Sequence, residues 1–260
     1  MQYFERLSKS SLTKLRARSA ALARQYRLDR AIRQAREASA GPLPDDIVSD
    51  ICSTWGDPAL AASDGYLRSL LAEAKNAHGY ILQSGVDLTT LLLAIQVERR
   101  GVRLWAVDGS VHIANAMRSW LERYELMNAS IIAAPADVTE AGVGYSLDAS
   151  RLPGPLSLVL CEASKAHPGN ARNLLPKVEG KLAPDAVILV RNLRRRTDFD
   201  FLSAWSRQKQ ASLVVRSKSE PHAKIVLRDR AAAQNHDAAR INTAFAKPQG
   251  VRSMRFATQR

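Results

Sequence analysis

A chain of 260 residues, 46% hydrophobic and 24% charged, is long enough to bury one sizeable core and has the composition of an ordinary globular domain. No apolar run approaches the roughly 18–20 residues that span a bilayer, and the residues after Met1 are polar and basic, which argues against a transmembrane protein and a secretory leader. The formal net charge of +13 is carried by the two ends: residues 1–40 hold ten Lys/Arg against three Asp/Glu, residues 205–260 twelve against three, and the middle sixteen against nineteen. That distribution excludes a central domain whose main surface grips nucleic acid.

Residues 1–44 predict a basic helical extension rich in Ala, Arg, Leu and Gln. Leu12, Leu15, Leu22 and Tyr26 fall near one face, Ile32 begins a second patch, and Arg16, Arg18, Arg24, Arg27, Arg30 and Arg33 fill much of the remainder. One reading is an amphipathic helix lying on an anionic membrane surface or other polyanion; the other is a solvated helix covering an edge of the core. Gly41-Pro42-Leu43-Pro44 ends it. Residues 45–229 read as an α/β domain. Residues 45–78 are mainly helical, with a break at Trp55-Gly56-Asp57-Pro58, and strands and helices then alternate. Strands are expected at 80–83, 103–107, 129–133, 156–161 and 186–190, and helices at 88–99, 111–124, 170–182 and 199–208; the section from 134 to 155 looks looser.

Strands that are apolar along their length and alternate with helices imply a parallel sheet covered on both faces. The last two strands, 212–216 and 223–227, are joined by a turn too short for a parallel crossover, so they must be antiparallel. The expected fold is therefore a Rossmann-like, mostly parallel seven-stranded sheet closed by an antiparallel hairpin. Residues 230–260 show no pattern and read as a basic flexible tail, a second segment able to meet an anionic surface. Cys52 and Cys161 lack metal-ligand spacing and read as small core residues in a reduced, cytoplasmic setting, with peripheral membrane attachment through the basic ends as the variant of that expectation.

In an open parallel sheet the ligand lies beyond the carboxyl ends of the strands, where strand order reverses. That places weight on three loops. After the first strand come Gln83, Ser84, Gly85, Val86, Asp87, Leu88, Thr89 and Thr90, with Gly85 free to take positive φ and Asp87, Thr89 and Thr90 opening a helix. After the second come Asp108 and Gly109, where a carboxylate can accept from both hydroxyls of a ribose. The fourth ends at Glu162, followed by Ala163-Ser164-Lys165-Ala166-His167. Gly85 does not belong to a Gly-x-Gly-x-x-Gly run, which disfavours a nicotinamide enzyme.

The segment GYILQSGVDLTTLLL, residues 79–93, resembles the first motif of class I S-adenosylmethionine-dependent methyltransferases, and the Leu-Thr-Thr-Leu-Leu-Leu that ends it resembles a bacterial subgroup of that family. The resemblance takes in Trp55-Gly56-Asp57-Pro58, Ser63 to Leu71, LWAVD (104–108), LVLCEAS (158–164), LLPKVEGKLAPDAVILV (174–190) and the closing hairpin, about residues 50–230. It implies S-adenosylmethionine as cofactor and a small-molecule or saccharide-like acceptor methylated on oxygen or nitrogen. Carried over by position, Gln83, Ser84, Gly85, Asp87, Thr89 and Thr90 would face the methionine part, Asp108 and Gly109 the ribose, and Asp137 the adenine. Ala163 and Glu162 would line the floor of the transfer site, with Glu162 or His167 as base.

Four positions depart from the family pattern. Gln83 stands in place of an acid, Asp87 in place of the second glycine, Glu162-Ala163-Ser164 in place of Asp-Gly-Pro, and Arg191-Asn192 in place of an acidic pair. Together they imply weakened cofactor binding, or a non-catalytic descendant that keeps the fold as a scaffold. Asp87 also has a plain structural reading as the N-cap of the helix at Leu88.

Overall fold

The computed structural model describes residues 2–38, 41–55, 62–139, 142–162, 170–193, 195–216 and 221–228. Five strands run parallel: β1 (Tyr80–Ser84), β2 (Arg103–Asp108), β3 (Ala129–Ala133), β6 (Leu156–Glu162) and β7 (Leu182–Arg191). Strands β8 (Ser212–Arg216) and β9 (His222–Val226) pair antiparallel, and β9 is antiparallel to β7, as the short connection between them requires. The order across the sheet is β3-β2-β1-β6-β7-β9-β8, so the order in which strands are added reverses between β1 and β6, which stay parallel. A separate antiparallel hairpin, β4 (Ala136–Thr139) and β5 (Gly142–Tyr145), lies in the section expected to be irregular. Its four-residue strands are too short to show alternation in sequence. A Cβ on Gly144 would come within 2.6 Å of the Asn173 Cβ, so β5 has to carry glycine where it crosses that side chain.

Alternate strand residues feed two cores. Ile81, Leu104, Leu158, Leu160 and Leu189 pack toward α1 (Gln2–Glu37), α2 (Asp45–Thr54), α3 (Asp64–Asn76), α4 (Leu88–Glu98) and α5 (Val111–Arg123). Leu82, Val107, Val159, Cys161, Ile188 and Val190 pack toward α6 (Asn170–Val178) and α7 (Arg196–Gln208). Helix α4 is buried at every residue from Leu88 to Val97, which is why its sequence is apolar all round rather than striped. It lies between the sheet and the outer layer made by α1 and α3. Helix α3 starts on Ser63, whose Oγ accepts from the Tyr66 amide at 3.3 Å.

In α1 the stripe that meets the core is Leu28, Ala31, Ile32 and Ala35, at helical spacing and all at most 3% exposed. Leu22 and Tyr26, the face expected from sequence, are 70% and 71% exposed. The useful stripe starts only where the helix reaches α2 and α4, and two of its four members are alanines that carry little hydrophobic signal. Expected boundaries also shift around α6. That helix stops at Val178, a 3-10 turn covers Glu179–Lys181, and β7 begins at Leu182 rather than 186. The pairing of β7 with β6 jumps from Leu156↔Leu182 to Leu158↔Val187, a bulge that accommodates Pro184 in an otherwise central strand. Residues 56–61 and the tail from 229 onward lie outside the described residues. Among the described residues no helix is long and apolar enough to cross a membrane.

The outer face of α1 is tied to α5 by polar contacts. Asp29 accepts from Arg123 at 2.8 Å and from the Tyr124 hydroxyl, and Arg36 meets Glu125 at 3.3 Å. Burial first, and then the bond to the Asp29 carboxylate, push the Tyr124 phenol well above its ordinary value near 10. A folded-state value raised above the unfolded one contributes stability that is complete below about pH 10 and lost as pH rises through the folded value. In a difference titration against Tyr124→Phe, phenolate absorbance from Tyr124 is therefore expected only above about pH 10, and Asp29→Asn to bring it down; an unchanged titration in the Asp29→Asn variant would remove Asp29 as a cause. Of the two thiols, Cys161 is fully buried, and burial with Asp64 nearby pushes Cys52 up to about 11.

Candidate functional site

The carboxyl ends of β1, β2, β6 and β7 share one rim of the sheet, because Ser84 pairs in register with Val107 and Cys161, and Cys161 with Val190. The Gly85 amide donates to the Val107 carbonyl at 2.8 Å, and Gly85 then turns the chain with φ of 89°, a backbone region that favours glycine. The next amide, Val86, donates to Asp108 Oδ2 at 3.0 Å, and Ser110 donates its amide to Asp108 Oδ1 at 2.8 Å. One carboxylate thus clamps the loops after β1 and β2 together beside the switch point. It is 9% exposed, and each of its oxygens takes one of these bonds, which leaves acceptor capacity on both.

Asp87 ends the turn as the N-cap of α4. Its Oδ1 accepts from the Thr89 amide at 2.7 Å and the Thr89 hydroxyl at 2.6 Å, while its own amide donates to Thr90 Oγ1 at 3.1 Å. Gln83, fully buried, donates Nε2 to Thr89 Oγ1 at 2.7 Å. On the other side Asp87 Oδ2 meets Arg191 Nη1 at 3.1 Å. Gln83, Thr89, Asp87 and Arg191 therefore form one hydrogen-bonded chain between β1 and β7 whose two ends both donate toward the Asp87 carboxylate. The Arg191 guanidinium sits 5.5 Å over the Tyr66 ring, and Tyr66 meets the His222 ring edge-on at 5.4 Å.

The structure brings together Gln83, Ser84, Gly85, Asp87, Thr89, Thr90, Asp108 and Gly109. Gly109 faces Tyr145 of the hairpin, since a Cβ there would lie 3.4 Å from that ring. Asp137 lies on β4 of the same hairpin and is exposed. Glu162 ends β6, but its side chain, Ala163 and His167 all lie outside the described residues. Sequence reasoning counted Arg191 only as a departure from the cofactor motifs, and did not connect Tyr66 or His222 to the site. A signal for the first was present: two departures of opposite charge, an acid gained at Asp87 and a base gained at Arg191, at strand ends that a parallel sheet places on one rim.

This architecture, a mostly parallel seven-stranded sheet with an antiparallel edge and helices on both faces, is the fold of solved methyltransferases. A methyltransferase from Geobacter sulfurreducens superposes with a TM-score of 0.51 at 13% identity, over 72% of this chain and 90% of that one. The precorrin-6y C5,15-methyltransferase from Geobacter metallireducens gives 0.50 at 10% identity, over 74% and 100%. The C-terminal domain of precorrin-6Y C5,15-methyltransferase from Rhodobacter capsulatus gives 0.50 at 13% identity, over 73% and 98%. No family model and no curated protein matches the sequence. At these identities the likeness establishes the fold; function has to be argued from the site.

Proposed function

We propose that the chain is an S-adenosylmethionine-dependent methyltransferase acting on oxygen or nitrogen of a small-molecule or saccharide-like acceptor. The observation that carries this reading is the Asp108 carboxylate, held by the Val86 and Ser110 amides at the switch point with acceptor capacity remaining on both oxygens. A carboxylate so fixed suits a ribose diol, and the Gly85 turn beside it lets the backbone approach a ligand. The methionine end carries an ammonium and a carboxylate, and Asp87 and Arg191 offer the opposite charge for each. When bound, the cofactor supplies an electrophilic methyl group on its sulfonium. The residues of this chain bind and align it, which by itself accounts for much of the rate in such transfers. Glu162 or His167 takes the proton released by the acceptor.

A second reading, a non-catalytic scaffold of the same fold, is favoured by one observation. Asp87 and Arg191 already satisfy each other, and Gln83 and Thr89 lock the pair from behind. Calorimetric titration with S-adenosylhomocysteine separates the two. The enzyme reading expects a Kd of about 1–100 µM, weakened roughly 10–100-fold by Asp108→Ala through loss of charge-assisted hydrogen bonds worth about 1.5–3 kcal/mol. No heat at millimolar ligand would leave the scaffold reading in place.

A further inference from the structure

A recess lies away from the Gly85–Asp108 rim, between α3 and the β7-β9-β8 edge of the sheet. Its volume is about 340 Å³, and its polar lining is Arg68, Ser69, Glu73, Arg216, His222 and Lys224. The placement follows from two periodicities. Residues 65, 68, 69, 72 and 73 of α3 recur at helical spacing along one side of the helix, while His222 and Lys224, two apart on β9, share one face of the sheet. The register sets Arg216 beside His222, and Leu189 beside Lys224, so all four residues address α3.

Charge in this recess is unbalanced. Among the described residues, three cations, Arg68, Arg216 and Lys224, face one carboxylate, Glu73, which is paired with Lys224. Arg216 Nη1 reaches across to Ser69 Oγ at 3.3 Å, which directs its exposed guanidinium toward α3 at the mouth of the recess. Guanidinium groups present planar donor forks that match phosphate and carboxylate oxygens. The concavity has the size of a small-molecule site, whereas a bilayer or a duplex would need a broad convex or flat basic surface. His222, 5% exposed, forms the inner wall, and its ring contacts Tyr66, which in turn carries Arg191. The recess therefore backs directly onto the Asp87–Arg191 end of the candidate site.

We propose that this recess is an anion site that takes the phosphate or carboxylate group of a small molecule, with Arg68 and Arg216 as its principal donors. On the methyltransferase reading it anchors an anionic acceptor, but anion binding there does not depend on that reading. The test uses the full chain at fixed ionic strength in chloride. Inorganic phosphate and succinate are titrated separately by calorimetry, alongside co-sedimentation with phosphatidylserine-containing vesicles. Saturable binding of phosphate or succinate is expected, weakened at least about tenfold in Arg68→Gln/Arg216→Gln. Both arginines are exposed, so the melting temperature without ligand should stay put, and Arg68→Gln alone provides a milder variant. Glu73→Gln is expected to tighten binding a few-fold by releasing Lys224, a change of sign that a merely structural role would not produce. Arg103→Gln is the control, because Arg103 lies in a different basic hollow at the amino ends of β1 and β2. The proposal is overturned if neither anion binds saturably, if Arg103→Gln weakens binding as much as the double variant, or if only the vesicles bind.

Discussion

Asp87→Gly is expected to destabilise the fold by about 2–4 kcal/mol, although glycine is the residue that the resemblance to the methyltransferase first motif implies here. The capping contribution is small in this substitution, since glycine replaces an N-cap Asp at a loss of only a few tenths of a kcal/mol. The rest comes from Arg191, whose side chain is 10% exposed and which would lose the Asp87 carboxylate. Breaking a buried pair from one side costs roughly 3–5 kcal/mol, reduced here because the Asp87 side chain is 28% exposed. Removing both charges in Asp87→Gly/Arg191→Met should recover much of the loss, giving a coupling energy of about 1–3 kcal/mol in denaturant unfolding. If the two single losses simply add, the pair does not act as a unit, and its four-residue chain from Gln83 to Arg191 has no energetic meaning. The same cycle, titrated with S-adenosylhomocysteine, reports whether the pair serves the ligand or competes with it.

Leu92→Ala should cost about 3–5 kcal/mol, the upper part of the range for truncating a leucine in a packed interior. Leu92 is fully buried at the centre of α4, with the sheet on one side and the outer helices on the other, so no single element can move to fill the void. Against a typical total of about 5–15 kcal/mol, a loss of that size lowers the thermal midpoint by roughly 10 °C in a domain of this length. Leu22→Ala on α1 is the companion measurement. With 70% of Leu22 exposed, the change should stay within about 0.5 kcal/mol. A large effect there would mean that the first half of α1 packs on something, and that the stripe from Leu28 to Ala35 is not what seats the helix.

The meeting of the first two loops of the candidate site was legible in the sequence. A glycine at the end of the first strand and an acid at the end of the second are local features, and Gly85 and Asp108 meet through the Val86 amide as a parallel sheet demands. The N-cap role of Asp87 was legible for the same reason: it depends on residues within three positions. The Asp87–Arg191 contact spans 104 positions, and no periodicity or spacing links two such residues. The recess under α3 was invisible for a related reason, because its cations come from one helix and two strands that are adjacent only once the sheet edge is ordered.

By itself the sequence determined the succession of strands and helices, and the antiparallel sense of the closing pair, because hydrophobic period and loop length act over a few residues. Tertiary structure alone decided the order β3-β2-β1-β6-β7-β9-β8, the hairpin at 136–145, and which turn of α1 is buried. Each of these depends on which apolar surfaces find one another across the chain, and burial energy depends on area removed from water without regard to sequence distance.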